Sequence, residues 1–307
     1  MANKIELLHC YYYKVNISIK PGKYAIAVSG GIDSVCLLNM LSNMPKIELV
    51  VANFDHGIRP DSRKDALFVE DLASDYGLPF ELGREKLGPS ASEAQARQAR
   101  YQFLEKVREK HHASAIVTAH HKDDVLETAI INLLRGTNRK GLTAILDNPR
   151  IVRPLVDVTK QELYEYAKAR GLKWVEDETN QEEKYLRNKV RRLLTETNEA
   201  DKAKLHDLIL SAKDVNNIID VLISELFNSV CIDEASLKKS EFIKLPHNVS
   251  KEVVAHWLRI HNIQPSTKMI ERIVTAIKTA QPSSSIDIDK THVLRIKKTD
   301  VSIESRS

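Results

Sequence analysis

The chain of 307 residues is poor in the residues that mark disulfide-rich, collagenous or membrane-spanning proteins. Its three cysteines, Cys10, Cys36 and Cys231, lie far apart, which excludes a disulfide framework and metal sites built on a CxxC spacing. Ten glycines and ten prolines are too few for a collagen-like or low-complexity chain. No apolar run approaches the about 20 residues that span a bilayer, and the N-terminus does not resemble a signal peptide. We therefore expect a globular protein in the reducing cytoplasm.

The charged residues are almost balanced, with 46 Lys and Arg against 42 Asp and Glu. Two short stretches are nevertheless strongly basic. The first contains Arg135, Arg139 and Lys140; the second contains Lys184, Arg187, Lys189, Arg191 and Arg192 and has no acidic residue. Clusters of this kind contact phosphate groups in nucleic-acid-binding proteins. Charge alone leaves a solvated surface open as the other interpretation.

Short apolar runs alternate with amphipathic segments through the first part of the chain. The runs at 24–29, 47–54, 79–82 and 115–120 are typical of strands, and the segments between them are typical of helices. This alternation predicts an α/β fold in which helices cover both faces of a parallel sheet. Such sheets bind ligands at the carboxyl ends of their strands, so the residues that follow the strands form the candidate site.

Helical patterns dominate beyond Pro154. They cover residues 159–170, 182–196, 205–230, 249–261 and 268–279, and the alternating stretch 285–303 predicts short antiparallel strands. Thr159 and Glu162 have the spacing of a capping box, which marks the start of the first of these helices. We divide the chain into a sheet domain, residues 1–200, and a smaller, mainly helical domain, residues 201–307, which ends in short strands.

The sequence SGGIDS directly follows the first predicted strand and opens a helix. Gly30 and Gly31 allow the backbone to approach a polyphosphate closely, and free N–H groups at a helix start attract anions. The Asp33 carboxylate would repel phosphate unless a divalent cation lay between them, and Mg²⁺ suits a carboxylate together with phosphate oxygens. The alternative is an ordinary tight turn. The candidate polyphosphate-binding residues are Ser29, Gly30, Gly31, Ile32, Asp33 and Ser34.

A second polar cluster follows the strand at 115–120. Asp124 and Glu127 are three residues apart, so on a helix their carboxylates face the same side, close to His120 at the end of the strand. Arg97 and Arg100 have the same spacing on the preceding predicted helix. A solvated helix start and a surface stripe remain open as interpretations. A zinc site at His120 and Asp124 would lack an evident third ligand.

SGGIDS resembles the PP-loop of the ATP-pyrophosphatase family, whose members bind ATP there, transfer AMP to a carbonyl-type oxygen and release pyrophosphate. Over residues 20–200 the chain also resembles the tRNA(Ile)-lysidine synthetase family. The departures are small: Glu178 and Thr179 stand where a serine usually precedes Asn180, and Ile58 stands where leucine is usual. The stretches that carry this resemblance are FDHGIRPDS (54–62), EAQARQARY (93–101), TAHHKDDVLETAIINLLRG (118–136), RPL (153–155), EDETN (176–180) and YLRNKVRR (185–192).

The resemblance implies an ATP- and Mg²⁺-dependent ligation of free lysine to C2 of the wobble cytidine in the CAU anticodon of isoleucine tRNA. The tRNA is first adenylated, and AMP and pyrophosphate are released. Asp33 would hold the metal, and His56 and Arg59 would face the nucleotide. Arg97 or Arg100 would stabilise negative charge on the departing groups. The C-terminal domain would bind the tRNA, and a second copy of the chain is a further candidate partner.

The acidic pair has a role in this reaction because the lysine amine, with an ordinary pKa of about 10.4, is protonated at neutral pH and cannot attack. Asp124 and Glu127 would attract the ammonium group and take its proton, and we count His120 with them as a catalytic candidate. Two other functions remain open: a PP-loop tRNA thiolase, which would need a cysteine arrangement absent from these motifs, and a tRNA-binding module without catalysis.

The basic stretch at 184–192 has two interpretations. Lys184, Arg187 and Arg191 share one face of a predicted helix and would contact tRNA phosphates. Alternatively, Arg187 and Arg191 pair with Asp177, Glu178 or Glu182 and hold the sheet domain to the next helix.

Overall fold

The computed structural model describes residues 8–12, 15–55, 62–85, 93–148, 150–175 and 184–306. The chain forms two compact units. The first contains Met1–Arg135 and Leu142–Ile209, and the second contains Gly136–Gly141 and Leu210–Ser307. The second unit is therefore made of two separate pieces of sequence.

A five-stranded parallel sheet forms the centre of the first unit and confirms the predicted α/β fold. The N-terminal strands β1 (Leu8–Tyr12) and β2 (Val15–Ile19) form an antiparallel pair of their own. The central strand of the sheet leads directly into SGGIDS, so this loop lies at the middle of the carboxyl edge. The strands of the sheet are β3 (Gly22–Ala27), β4 (Ile47–Asp55), β5 (Phe80–Arg84), β6 (Ala115–Val117) and β7 (Ile151–Val152), in the spatial order β5-β4-β3-β6-β7.

Helices cover both faces of this sheet because successive strand residues point to opposite sides. Ile26 and Val117 pack on one face against residues of α1 and α6, whereas Ala25 and Ile116 pack on the other face against α3. The helices of this part of the chain are α1 (Ile32–Ser42), α2 (Ser62–Asp75), α3 (Glu93–Lys110), α4 (Lys122–Leu134), α5 (Arg139–Leu142), α6 (Lys160–Arg170) and α7 (Lys184–Glu196), with a 3₁₀ turn at Ala144–Leu146.

The second unit combines helices with a five-stranded antiparallel sheet in the order β10-β11-β12-β9-β8. Its core contains the fully buried Trp257 and Phe242. No helix in the described ranges is long and apolar enough to cross a bilayer. The elements are α8 (Glu199–Val230), β8 (Cys231–Asp233), β9 (Ser236–Lys238), α9 (Lys239–Phe242), α10 (His247–Ile260), α11 (Thr267–Thr279), β10 (Ser284–Asp287), β11 (His292–Ile296) and β12 (Asp300–Ser305).

The short segment Gly136–Gly141 joins the second unit through Arg139. Its guanidinium group lies 2.9 Å from an oxygen of Asp220, 2.8 Å from one of Glu252 and 2.9 Å from the Asn216 side-chain oxygen. The Lys140 ammonium group also contacts Asp220, at 2.5 Å. This basic stretch is therefore bound to carboxylates of its own chain.

The predicted helix starts are accurate at α6 and late at α8. The predicted capping box is confirmed at α6, where Thr159 and Glu162 exchange hydrogen bonds. Helix α8 begins at Glu199 and not at residue 205, because the Asn198 side chain accepts the Asp201 N–H at 2.9 Å and acidic residues favour the first turn. The capping box expected at Ser92 lies outside the described residues.

Candidate active site

The loop Ser29–Ser34 leads into the start of helix α1. Gly30 has φ +90°, a conformation that favours glycine, and the cap residue Gly31 has no side chain to accept the N–H groups of the first turn of α1. The Ser34 hydroxyl donates to the Gly31 carbonyl at 2.8 Å and accepts the Ser29 N–H at 3.2 Å, which closes the loop. Free N–H groups at such a helix start are suited to an anion, and phosphate binding here stays a prediction.

Two further hydrogen bonds hold this loop in place. The Val175 N–H donates to the Gly30 carbonyl at 2.9 Å, and the buried Asn53 amide donates to the Val28 carbonyl at 2.8 Å. A Cβ atom at Gly30 would lie 3.4 Å from Val69 Cγ2, so the surroundings leave little room for a side chain. The loop is preorganised before any ligand arrives.

Asp33 lies in the first turn of α1 and contacts the side chains of Lys160 and His121. Its carboxylate oxygens accept hydrogen bonds from Lys160 Nζ at 2.6 and 2.8 Å, and one of them lies 3.8 Å from His121 Nε2. The sequence prediction omitted Lys160. The capping box of Thr159 and Glu162 predicted the start of α6, where Lys160 lies. The contact between Lys160 and Asp33, however, joins residues 127 positions apart, and local spacing in the sequence does not predict such contacts.

His121 lies among carboxylates. It is 7% exposed, its Nδ1 lies 3.4 Å from Asp123, and its Nε2 lies 3.5 Å from Asp124. Burial lowers the pKa of His121, but the carboxylates of Asp123, Asp124 and Asp33 outweigh it, so the pKa is raised above its ordinary value. Sequence analysis counts His121 in the polar cluster but assigns a role only to its neighbour His120.

His120 lies in an opposite environment. Its Nδ1 is 2.8 Å from the Thr118 hydroxyl. Burial, together with the charges of Arg153, Arg97 and Arg100, lowers the pKa of His120 to about 3, so the imidazole is neutral at pH 7. His120 is therefore an uncharged ring near three guanidinium groups, those of Arg97, Arg100 and Arg153.

Arg153 is the buried member of this arginine cluster. It is 9% exposed, and its Nε has no hydrogen-bond partner within the described part of the chain. Arg97 and Arg100 lie 4.8 and 5.6 Å from the ring centroid of Tyr101, and Arg97 also donates to the Tyr101 hydroxyl at 3.4 Å. Such a cluster, at the end of β7, suits an anionic group. The sequence analysis noted the RPL stretch without assigning Arg153 a role.

Asp124 and Glu127 have different partners although both lie on α4. Asp124 accepts the backbone N–H of His121 at 3.0 Å, and its side chain is 27% exposed. The Glu127 side chain is 7% exposed and is paired with Arg187 and, at 2.7 Å, with Arg191 of α7. Asp177, Glu178 and Glu182, the partners that the sequence offered for these arginines, lie outside the described residues, as do His56 and Arg59.

No group of three or more His, Cys, Asp and Glu side chains that could hold a metal ion occurs among the described residues. A divalent cation at Asp33 would therefore take its other ligands from phosphate oxygens and water, which is how Mg²⁺ is usually held with nucleotides. The residues present fit such an ion.

Cys36 has no chemical role in this arrangement. It is fully buried in the core beside α6, and burial, together with the nearby charge of Asp33, raises the pKa of its thiol to about 12.

Known proteins are similar to this chain in sequence. A tRNA(Ile)-lysidine synthase of Caldanaerobacter subterraneus subsp. tengcongensis is 35% identical over 237 residues, which are 71% of this chain and 50% of the relative. One of Nitrosomonas europaea is 29% identical over 300 residues, which are 91% of this chain and 64% of the relative. The chain spans about half the length of the curated relatives it matches.

A solved U34-tRNA thiolase from Methanococcus maripaludis has a TM-score of 0.51 at 18% identity, over 62% of this chain and 70% of that chain. This likeness concerns the fold alone. Residues 6–198, which include the anion-binding loop and the whole parallel sheet, match the PP-loop domain family. The chain therefore belongs to the PP-loop family.

Proposed function

We propose that the protein ligates free lysine to C2 of the wobble cytidine in a CAU-anticodon isoleucine tRNA and converts ATP to AMP and pyrophosphate. The observation that carries this proposal is the contact between Asp33 of the PP-loop and His121 of the HHKDD stretch, which joins the nucleotide site to the acidic cluster. Relatives named tRNA(Ile)-lysidine synthase, 29–40% identical to this chain, support it.

The nucleotide polyphosphate would bind at Ser29–Ser34, where backbone N–H groups and two hydroxyls are available. Asp33 would hold Mg²⁺, which when bound neutralises charge on the polyphosphate. His56 and Arg59 follow the adjacent strand β4 and are proposed to face the nucleotide.

The arginine cluster would serve the adenylation step. The C2 oxygen of the cytidine attacks the α-phosphorus of ATP, and pyrophosphate leaves with the bonding electrons. Arg97 and Arg100 would stabilise the negative charge that develops on the phosphoryl oxygens. His120, neutral at pH 7, would act by hydrogen bonding and not as a cation.

The two carboxylates of α4 would divide the work on lysine. Asp124 is the more exposed, so we assign it the proton of the lysine ammonium group. The freed amine attacks C2, and AMP departs with the oxygen. Glu127 is paired with two arginines, so we assign it no proton transfer; it would position the amine and the helix.

The test is incorporation of labelled lysine into a CAU-anticodon tRNA in the presence of ATP and Mg²⁺. The control is the same tRNA with uridine at the wobble position. We expect label in the first tRNA only, with AMP and pyrophosphate formed in equal amounts. Pyrophosphate release without incorporated lysine would indicate a different PP-loop reaction, and neither product would indicate a binding module.

Asp33→Ala tests the metal-binding role within this scheme. We expect loss of pyrophosphate release with an unchanged circular dichroism spectrum, because the carboxylate acts on phosphate only through the cation. A near wild-type rate of pyrophosphate release would contradict the role.

A further inference from the structure

The anion-binding loop contains no basic side chain of its own. SGGIDS supplies N–H groups, hydroxyls and one carboxylate, whereas the loop GxxxxGK[ST] of other nucleotide-binding proteins carries a lysine that reaches the phosphates. Among the residues that the structure describes, the cationic side chains in contact with Asp33 are Lys160 and His121. Lys160 is the one with a long, flexible stem.

Several hydrogen bonds fix the backbone at Lys160. It is the first residue of α6, directly after the capping residue Thr159, whose hydroxyl accepts the Glu162 N–H at 3.2 Å. The Lys160 N–H itself donates to the Asp123 carboxylate at 2.9 Å, which ties the start of α6 to the acidic cluster. The backbone is therefore fixed, and only the side chain is free to move.

The Lys160 ammonium group lies where a divalent cation would have to bind. At 2.6 and 2.8 Å it contacts both oxygens of Asp33, and its side chain is 37% exposed. A cation that takes one of these oxygens displaces the ammonium group. The displaced group keeps three donors on a four-carbon stem beside the loop, within reach of the polyphosphate that arrives with the cation.

We propose that Lys160 is a phosphate-binding residue of the nucleotide site: its ammonium group neutralises Asp33 in the absence of nucleotide and moves to the polyphosphate when a divalent cation takes that carboxylate. This proposal rests on the proposed function, since it assumes that the loop binds ATP. The PP-loop sequence contains no basic residue. Lys160, 127 positions after Asp33, would supply the positive charge.

The experiment measures binding of a non-hydrolysable ATP analogue with Mg²⁺ by calorimetry, and of Mn²⁺ alone by electron paramagnetic resonance. For Lys160→Met we expect the Kd of the Mg²⁺–nucleotide complex to rise roughly 10- to 100-fold, the range for a lost hydrogen bond to a charged group. Mn²⁺ alone should bind at least as tightly as in the wild type, because Asp33 has lost its competitor. Lys168→Met, at an exposed position of the same helix, is the matched control and should change neither value.

A purely structural ion pair gives a different result. In that case folded Lys160→Met would bind the nucleotide as tightly as the wild type, or would lose Mn²⁺ and nucleotide binding together, and either result overturns the proposal. If Lys160→Met does not fold, Lys160→Gln keeps a hydrogen-bond donor for Asp33 without the charge, and the same loss of nucleotide affinity is expected. Failure of the wild type to bind nucleotide would instead overturn the proposed function.

Discussion

His120 and His121 are neighbours in the sequence, and their pKa values are shifted in opposite directions. The alternation of an extended chain sends one ring towards Arg97, Arg100 and Arg153 and the other towards three carboxylates. A pair of histidines is therefore not one functional unit here: burial and neighbouring cations lower the pKa of His120, and neighbouring carboxylates raise the pKa of His121.

This difference predicts how acid affects stability. Because the pKa of His120 is lowered to about 3 in the folded protein, against about 6.5 when unfolded, the folded state binds fewer protons between these values. The contribution of His120 is complete above pH 6.5 and is lost as the pH falls. The free energy of unfolding, measured with urea, should decrease from pH 7.5 to pH 5 in both proteins. We expect this decrease to be smaller in His120→Asn than in the wild type, by about 1–2 kcal/mol.

The control for this measurement is His112→Asn. His112 is exposed and has φ +52°, a conformation that asparagine tolerates. Its loss of stability on acidification should equal that of the wild type. If His120→Asn behaves in the same way, His120 is protonated in the folded protein and the described environment is wrong.

Asp124→Asn should separate the two half-reactions. The variant keeps the shape of the side chain and its bond to the His121 N–H but cannot take a proton. We expect lysine incorporation to fall about 10²- to 10⁴-fold, the usual range for loss of a general base, while pyrophosphate release with tRNA continues. Loss of both activities together would place Asp124 with the nucleotide.

The sequence indicates which candidate residues share one edge of the sheet but not their contacts. SGGIDS and the residues after β6 could be singled out because parallel strands bring their carboxyl ends to one edge. Lys160 and Arg153 were missed because their contacts join distant parts of the chain, which no local spacing reveals. Nor does the sequence distinguish Asp124 from Glu127, since the difference arises from α7 packing beside α4.

At the scale of elements, Glu127 links helices α4 and α7. Arg187 and Arg191 are four residues apart on α7 and reach the same buried carboxylate, above an apolar contact that includes Leu126 and Val190. Part of the basic stretch therefore stabilises the first unit. Lys189 and Arg192 are exposed on the same helix, and Arg192 has an exposed contact with Glu196, at 3.2 Å.

Two double variants of α7 separate tRNA binding from stability. Lys189→Ala with Arg192→Ala should weaken tRNA binding and reduce the slope of log affinity against log salt by roughly 1–2, without lowering the melting temperature. Arg187→Ala with Arg191→Ala should in addition lower the free energy of unfolding by about 1–3 kcal/mol, because the buried Glu127 carboxylate loses both partners. If the first variant binds tRNA as the wild type does, α7 is not a tRNA contact.

The longer elements were predicted well, and the shortest were not. Strand β7 has two residues and β8 and β9 have three each, too few to show alternation. They form because neighbouring strands supply their hydrogen bonds, as β12 does for β9. Sequence periodicity therefore predicts the parallel sheet but misses two of the five strands in the second sheet.

At the scale of the whole molecule, the second unit depends on a six-residue segment that precedes it by about 70 positions. Arg139 supplies the guanidinium group for Asp220 and Glu252, and its side chain is 20% exposed. A fragment that begins at Leu210 would keep both carboxylates and lose this partner.

Arg139→Ala should destabilise the second unit selectively. Trp257 is fully buried in this unit, and in a Trp174→Phe background it is the only tryptophan. We expect its fluorescence transition in urea to report a loss of about 1–3 kcal/mol, while Arg135→Ala, at an exposed position in the same stretch, has no effect. Arg139→Lys should rescue only partly, since lysine lacks the planar fork. Equal stability of Arg139→Ala and the wild type would contradict this assignment.

The interrupted second unit also sets an order of events during synthesis. Arg139 leaves the ribosome 113 residues before Glu252, a delay of roughly 6 to 23 s at 5–20 residues per second. At the start of this interval strand β7 is still to be made. Asp220 follows Arg139 after 81 residues and Glu252 after 113. The guanidinium group therefore gains its carboxylate partners in two steps, from α8 and then from α10, and the second unit closes only as the last third of the protein emerges.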